Sequence, residues 1–363
     1  MIIGAEGGAG DALVLWYVPV ADLGGVARHV LDTVRTGIPG ARVIVLCPEG
    51  PLARALRGLG APVVTGDVSP ADGPVRAVRS LRGTLSRLAP AILHTHLAFA
   101  DLVGVAAVRG ARSGSGARMR LVTTEHGISG VRGLYRTGRA RARALSTAHR
   151  ARLLGTDRVI AVSGSTRDQV AGQWGGAENI RVIPNAVDAP ASRPVPSAGL
   201  RVLTLSRLAP EKRIDLVLES FALLHARRGD ATLTIAGDGP QEQDLRAAVR
   251  AAGLEGAVFL VGHRDAPVML AEHDVLVQLS RWENASYSLL DGVAWGLGAV
   301  ATDVGGNREI LPTRCLVPTP DPASVASLLE EQGLDPSRRP APVARGVDSM
   351  TAQIGHVYQE LLR

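Results

Sequence analysis

The sequence predicts an α/β protein built from two doubly wound domains, and three observations support this prediction. The chain has 363 residues, which is more than one typical core needs and suits two ordinary domains. Short apolar runs rich in β-branched residues alternate with amphipathic stretches in both halves, as in parallel sheets with helical crossovers. A Pro-rich stretch without apolar periodicity separates the two halves.

The predicted strands follow one another at a regular rhythm, each bounded by Gly, Pro or Asp. In the first half they read ALVLWYVPV, RVIVLC, APVV, AILHTH, RLVTTE and DRVIAVS, and in the second LRVLTLS, ATLTIAGDG, AVFLVG, DVLVQLS and GAVATDVGG. The predicted boundaries are residues 1–188 for the first domain, 189–199 for the linker and 200–343 for the second domain. Residues 344–363 have the apolar spacing of a terminal helix, either packed or facing solvent.

Charge and cysteine content limit the classes of function. Lys and Arg total 40 against 34 Asp and Glu, a surplus of six that favours anionic partners such as nucleotides, nucleic acid or acidic membranes. Aromatic residues make up 3% of the chain and no zinc-finger spacing occurs, which argues against nucleic acid. Cys47 and Cys315 have no metal-ligand spacing and are interpreted as buried apolar residues of a reduced compartment. Without a basic leader or a membrane-spanning run, a cytoplasmic location is expected.

Loops after the predicted strands carry the candidate binding residues. Gly24 and Gly25 follow the first strand and open a helix, where exposed backbone N–H groups favour phosphate or sugar, although an ordinary turn has the same composition. Arg207 and Lys212 follow a strand of the second half and can neutralise a diphosphate, although a solvated basic turn is the commoner case.

Three histidines mark strand ends in the first half. His94, with apolar neighbours, is interpreted as a core residue, whereas His126, beside Glu125, is the better functional candidate. His96 and the others have no third ligand at metal spacing, and no two Asp are separated by one residue. The sequence therefore predicts no metal ligands and no metal cofactor.

The segment Val131–Arg152 contains seven Arg and no acidic residue. Arg132, Arg136, Arg139, Arg143 and Arg150 follow helical spacing, so one face of a helix could contact anionic lipid or an acidic acceptor. A solvated basic face explains the same pattern.

Two carboxylates, Glu283 and Asp291, are eight positions apart in RWENASYSLLDG. A helix that begins inside this stretch places Glu283 in the preceding loop and Asp291 in the first turns. Both acids can then face one cleft from different heights.

Seven stretches, in order, resemble family four (GT4) retaining glycosyltransferases of the GT-B fold, in which two Rossmann-like domains face across a cleft. They are GGVARHV, TTEHG, DRVIAVSGSTRDQV, RVIPNAVD, LSRLAPEKRIDLVLESFALL, IAGDGPQEQDLR and SRWENASYSLLDGVAWGLGAVATDVGGNREIL. The resemblance implies that the first domain lies on the acceptor side and that the second binds a nucleotide sugar.

The resemblance also implies residue roles. Glu283 and His126 would act beside the transferred sugar, and Asp291, where the family usually has Glu, would bind the ribose. The remaining donor-binding residues are Gly24, Gly25, Arg207, Lys212 and the backbone of Ser286, Tyr287, Ser288 and Leu289. Arg213 stands where the family usually has Gly.

The function expected from the resemblance is transfer of a hexose-like sugar, with retention and without metal, from a nucleoside diphosphate to a hydroxyl acceptor. The acceptor could be a sugar, a lipid-linked or cell-envelope glycan, or a small molecule, and contact with the inner face of an anionic membrane would suit the Arg-rich segment. The alternatives are a GT-B sugar-nucleotide epimerase and a non-catalytic protein that binds nucleotide sugars.

Overall fold

The computed structural model describes residues 10–127, 139–191, 198–342 and 345–363, without the side chains of 139–145 and 177. The chain forms two compact units. Unit 1 consists of Met1–Asn185 and Val347–Arg363, and unit 2 of Ala186–Gly346. The chain thus passes into unit 2 after Asn185, three residues before the predicted end of the first domain, and returns to unit 1 after Gly346.

Unit 1 contains a parallel sheet of seven strands in the order β3-β2-β1-β4-β5-β6-β7. The strands are β1 Ala12–Tyr17, β2 Ala41–Cys47, β3 Val63–Thr65, β4 Ile92–His96, β5 Arg120–Glu125, β6 Arg158–Ala161 and β7 Ile180–Val182. Its helices are α1 Gly25–Thr36, α2 Pro51–Gly58, α3 Pro74–Leu88, α4 Ala98–Val108, α5 Arg139–Leu154 and α6 Gly164–Trp174. The order reverses direction between β1 and β4, the switch point where doubly wound sheets bind ligands.

Unit 2 contains a parallel sheet of six strands in the order β10-β9-β8-β11-β12-β13. The strands are β8 Arg201–Leu205, β9 Thr232–Ala236, β10 Val258–Gly262, β11 Val275–Gln278, β12 Gly298–Thr302 and β13 Leu316–Val317. Its helices are α7 Ile214–Arg227, α8 Glu242–Ala251, α9 Ala266–Glu272, α10 Tyr287–Ala294, α11 Asn307–Ile310 and α12 Pro322–Leu334. Here the switch point lies between β8 and β11.

The predicted strand runs correspond to strands of these two sheets, because a strand covered by helices on both faces is rich in apolar, β-branched residues. Val14, Leu46, Leu93 and Val122 of unit 1 are fully buried, for example. The short edge strands β7 and β13 had no separate prediction, since three and two residues carry no periodic signal. Cys47 and Cys315 are buried free thiols, as predicted.

The last helix, α13 Val347–Leu362, packs in unit 1 against α1. Met350, Ile354 and Val357 are buried, which confirms the apolar spacing of a packed helix. Tyr358 of α13 accepts a hydrogen bond of 2.8 Å from Trp16 Nε1 in β1. The first strand and the last helix therefore belong to the same core. No helix among the described residues has the length and apolar character needed to cross a membrane.

Candidate active site

The loop between β11 and α10 places Glu283 at the carboxyl end of the sheet in unit 2. Glu283 lies four residues before the first residue of α10 and its side chain is 11% exposed. Gly305, in the loop after β12, has a φ of +53°, and a Cβ built on it would lie 1.7 Å from the carbonyl oxygen of Glu283. Any larger residue at 305 would displace the Glu283 backbone. Glycine at this position therefore allows the loops after β11 and β12 to pack closely together.

Glu283 forms an ion pair with one of the predicted diphosphate cations. Lys212 Nζ donates to Glu283 Oε1, and the Lys212 side chain is 20% exposed. Because an ammonium group has three donors, Lys212 can hold Glu283 and still bind an anion. The other predicted cation, Arg207, is 67% exposed and pairs with Glu211. The structure thus brings Lys212 and Glu283 together within unit 2 and leaves Arg207 open to solvent.

Helix α10 begins at the same edge of the sheet and is capped by its own serine. Ser286 Oγ accepts hydrogen bonds from Leu289 N at 3.3 Å and from Gln278 Nε2 at 2.8 Å. Ser288 Oγ donates to the Leu205 carbonyl at the end of β8, 2.9 Å away. The Leu289 N–H is therefore already bonded, and a phosphate contact must come from other first-turn groups of the predicted set Ser286 to Leu289.

Asp291 lies in the second turn of α10 and is 9% exposed. The helix position agrees with the sequence prediction, and the burial is greater than expected for a residue that must reach a ribose. A side chain one methylene shorter than Glu also lies closer to the helix axis. Contact with a ribose would need the nucleotide to approach the helix surface closely.

Several polar atoms in the loops at the carboxyl edge of unit 2 are buried without a hydrogen-bond partner in the described part of the chain. They follow β8, β11 and β12 at the carboxyl edge and are Ser206 Oγ, Ser280 Oγ, Trp282 Nε1, Asn284 Oδ1 and Asn307 Oδ1. An unpaired buried polar atom costs about 1–3 kcal/mol, so such a cluster indicates a place that a polar ligand or water fills. The sequence analysis missed these residues because nothing in their spacing separates them from ordinary strand ends.

Arg213 adopts a left-handed backbone conformation, with φ of 53° and ψ of 47°, immediately before α7. Glycine reaches this conformation without strain, which gives a physical reason for the glycine that the resembling family usually has here. The substitution keeps the turn after Lys212 and places a third cation beside it.

In unit 1, the loop after β1 leads into α1 as predicted. Gly24 is the N-cap of α1, in an extended conformation, and Gly25 is its first residue. Both glycines are exposed, and a Cβ at Gly24 would meet no atom within 4 Å. No side chain of the described residues caps this helix end. Its N–H groups are thus accessible to an anion or a sugar.

Helix α1 also carries His29, which joins the predicted strand-end histidines in one buried cluster. His96 Nδ1 and His126 Nε2 are hydrogen-bonded at 2.9 Å, and the His29 and His126 ring centres are 4.9 Å apart. His126 is partly exposed, whereas His29 and His96 are buried. Burial lowers the pKa of His29 to about 4, and that of His96 and His126 well below the ordinary value. Burial therefore favours the neutral form of these three imidazoles.

His94 is a core residue, as the sequence predicted. Its Nδ1 is bonded to the Tyr358 hydroxyl, and its Nε2 lies 2.7 Å from Thr124 Oγ1. Its ring stacks on His96 with centres 4.6 Å apart. His94 packs against His96 and is inaccessible to solvent.

Ligand atoms of His29, His96 and His126 lie within 4.8 Å of one another, so the structure supplies the third nitrogen that sequence spacing lacked. Neutral imidazoles are suitable metal ligands. His96 and His126 are, however, hydrogen-bonded to each other at 2.9 Å, so their proximity has an explanation without a metal. The expectation that the protein needs no metal therefore has to be tested by experiment.

Arg152, the last Arg of the basic segment, is buried and not part of a basic surface. Its guanidinium donates to Asp101 Oδ2 at 2.8 Å, to Glu125 Oε1, and to His149 Nδ1 at 2.9 Å. Burial raises the pKa of Asp101 and of Glu125, and Arg152 opposes both shifts. Glu125 is the last residue of β5 and His126 follows it directly. The network therefore holds the backbone immediately before His126 in place. Sequence reasoning missed the network because Asp101 and Arg152 are 51 residues apart.

The remaining arginines of the basic segment fall largely outside the described side chains. Arg132 and Arg136 lie outside the described residues, and the side chains of Arg139 and Arg143 are likewise not described. Arg150 is exposed. A basic face on this segment therefore stays a prediction.

The two sheets, with the site residues at their carboxyl edges, define a two-domain α/β protein of the GT-B fold. Two family models match, "Glycosyltransferase Family 4" over residues 23–190 and "Glycosyl transferases group 1" over residues 199–331. The two models together cover most of the chain, which therefore belongs to the GT4-type glycosyltransferase family.

Its curated relatives match over part of their length. The α-D-kanosaminyltransferase of Streptomyces kanamyceticus is 31% identical over 175 residues, which are 44% of this chain and 45% of the relative. The GDP-mannose-dependent α-(1-6)-phosphatidylinositol monomannoside mannosyltransferase of Mycobacterium tuberculosis is 30% identical over 224 residues, 55% of this chain and 58% of the relative. The chain thus spans about half the length of these two relatives.

Solved structures agree with the fold over nearly the whole chain. Anabaena HepE, crystallised with UDP and glucose, has a TM-score of 0.76 at 20% identity, and the match covers 97% of this chain and 99% of HepE. Sucrose-phosphate synthase from Thermosynechococcus elongatus has a TM-score of 0.76 at 18% identity, with the same coverage of 97% and 99%. At such identities the likeness establishes the fold alone.

Proposed function

We propose that this protein transfers a hexose-like sugar from a nucleoside diphosphate to a hydroxyl acceptor, with retention of the anomeric configuration. The observation that carries the proposal is the Lys212–Glu283 ion pair at the carboxyl edge of unit 2, where loops after three strands also carry buried polar atoms that lack partners among the described residues. A cation for a diphosphate and a carboxylate for a sugar are the two groups that such a donor requires. Family membership and the names of the relatives support the same reaction class.

The proposed chemistry needs no side-chain nucleophile. The bond from the anomeric carbon to the diphosphate breaks, the acceptor oxygen forms the new bond on the same face, and the departing phosphate oxygen takes the acceptor's proton. Lys212 and Arg207 stabilise the charge that develops on the leaving group, and the Glu283 carboxylate stabilises positive charge at the sugar ring. His126 binds an oxygen of the transferring sugar.

A transfer assay tests the proposal directly. Incubation with a panel of nucleoside diphosphate sugars and hydroxyl acceptors should give a product whose anomeric configuration, read from NMR couplings, matches that of the donor. An inverted product contradicts the retaining assignment. Conversion of the donor to another sugar nucleotide without acceptor would instead identify an epimerase, and binding without turnover would identify a non-catalytic binding protein.

Arg207→Ala and Lys212→Ala are each expected to weaken binding of the free nucleoside diphosphate. Loss of a charge-assisted hydrogen bond costs about 1.5–3 kcal/mol, which is roughly ten- to a hundredfold in Kd. The effect should be larger for Lys212, because Arg207 is 67% exposed and more strongly screened. Isothermal titration calorimetry measures both, with the exposed Arg250→Ala as the control. Unchanged affinity in both variants would return the two cations to the solvated surface.

Activity is expected to persist in excess EDTA, since we propose that fixed cations occupy the place where other transferases hold a metal. The assay compares initial rates before and after chelation and after Mg²⁺, Mn²⁺ or Zn²⁺ is restored. A rate that falls with EDTA and returns with one of these ions would contradict metal independence and direct attention to the histidine cluster.

We further propose a lipid-linked or cell-envelope glycan as the acceptor class and peripheral contact with an anionic membrane. The seven Arg of Val131–Arg152 support this proposal, although the side chain of one of them, Arg152, is buried. Binding to vesicles should rise with anionic lipid and fall with salt, because each such Arg contributes on the order of 1 kcal/mol within a Debye length. Substituting Gln for Arg132, Arg136, Arg139 and Arg143 should abolish it. Absence of binding at low salt would favour a soluble acceptor.

A further inference from the structure

In the histidine cluster of unit 1, the hydrogen-bond donors and acceptors around His94 indicate which ring nitrogen carries its proton. The Trp16 indole N–H can only donate, so the Tyr358 oxygen accepts from it. The Tyr358 hydroxyl proton then has His94 Nδ1 as its acceptor. His94 must therefore carry its own proton on Nε2 and donate to Thr124 Oγ1. The hydrogen bonds thus assign the protons of Tyr358 and His94.

His96 presents a second choice. Its Nδ1 is bonded to His126 Nε2, and its Nε2 is buried without a partner in the residues described. If Nε2 carried the proton, a buried N–H would be orphaned. If Nδ1 carries it, only a lone pair is left unsatisfied. Orphaned N–H groups are the rarer of the two in proteins. The arrangement therefore favours His96 Nδ1–H as the donor and His126 Nε2 as the acceptor.

We propose that His96 is a positioning residue that holds His126 in the tautomer with its proton on Nδ1, which makes His126 a hydrogen-bond donor toward a substrate oxygen. The proposal rests on the proposed function, since it assigns a chemical role to His126 in the binding of a sugar hydroxyl or phosphate oxygen. His96 can keep this orientation because its ring is held between Trp16, with centres 4.5 Å apart, and His94, 4.6 Å away.

The imidazole of His126 has a defined tautomer only while it is neutral. Burial lowers the pKa of His96 and of His126, and the neighbouring imidazoles lower both further. A neutral imidazole with a fixed tautomer distinguishes donor from acceptor, whereas an imidazolium would donate at both nitrogens. The cluster thus supplies a directed donor without a charge.

The tautomer can be read by ¹⁵N NMR of the full chain labelled at histidine. In the wild type, His126 should show a protonated Nδ1 and an unprotonated Nε2, identified by loss of its signals in His126→Ala. His96→Asn retains a donor near the former Nδ1 and should preserve this state. His96→Leu removes the donor and should shift His126 toward the Nε2–H form. His273→Asn replaces a partly buried, hydrogen-bonded histidine of unit 2 and controls for the loss of an imidazole ring elsewhere in the chain.

Transfer kinetics provide the second readout. His96→Leu should lower kcat about tenfold, the effect of one misdirected hydrogen bond, and His96→Asn should restore most of it. His273→Asn should have the wild-type rate, and circular dichroism confirms that each variant is folded.

The outcomes separate this inference from the proposed function. A proton on Nε2 of wild-type His126 overturns the inference whatever the activity, and so does a spectrum that changes with EDTA, since a bound metal would then replace the hydrogen bond. Wild-type transfer by His126→Ala would overturn the role of His126 in the reaction and with it the substrate half of the inference. The NMR result would still stand on its own.

Discussion

Replacing Glu283 with Ala is expected to lower kcat for sugar transfer about 100- to 1,000-fold, the usual loss when one electrostatic stabiliser of a transition state is removed. The affinity for the free nucleoside diphosphate should stay nearly unchanged. The proposed partner of the Glu283 carboxylate is the reacting sugar and not the diphosphate. The loss of Glu283 also leaves Lys212 with all three donors available for phosphate. Steady-state kinetics measure the first effect and calorimetry the second.

Two further variants sharpen this test. Glu283→Gln keeps the shape and a hydrogen-bonding carbonyl but removes the charge, so a rate close to that of Glu283→Ala would identify charge as the active property. Glu255→Ala, an exposed acid of the same unit, should be as active as the wild type. A Glu283→Ala variant with wild-type turnover would remove Glu283 from the mechanism.

Replacing Arg152 with Met is expected to lower the free energy of unfolding by about 3–5 kcal/mol, because it leaves two buried carboxylates without their cation. Asp101 and the Glu125 side chain are 1% and 3% exposed, so water cannot replace the lost partner cheaply. Urea unfolding followed by far-UV circular dichroism measures the change. The same variant should also lower transfer activity, because Glu125 determines where β5 ends before His126.

Arg150→Met is the matched control, two residues away on the same helix and exposed to solvent. Its unfolding midpoint should equal that of the wild type within error. If Arg152→Met and Arg150→Met unfold at the same urea concentration, the buried network does not stabilise unit 1 and the effect assigned to it here is wrong.

The sequence alone determined the strands of both sheets except the short edge strands β7 and β13, and it placed several candidate site residues at the strand ends. A strand covered on both faces is rich in apolar and β-branched residues, so RLVTTE and DVLVQLS indicated β5 and β11 without any tertiary information. Since parallel strands expose their carboxyl ends on one edge, Glu283, Lys212 and Arg207 were predicted at that edge of unit 2. These signals are local, and local spacing is what a sequence displays.

Only the tertiary structure decided which distant residues meet. His29 joins His96 and His126, Arg152 leaves the basic segment for Asp101 and Glu125, and Tyr358 bonds Trp16 across 342 positions of sequence. The same holds for the orphaned polar atoms after β8, β11 and β12. The physical reason is that burial and hydrogen bonding depend on packing between elements, which has no period along the chain. A histidine or arginine looks the same in sequence whether it faces water or a buried partner.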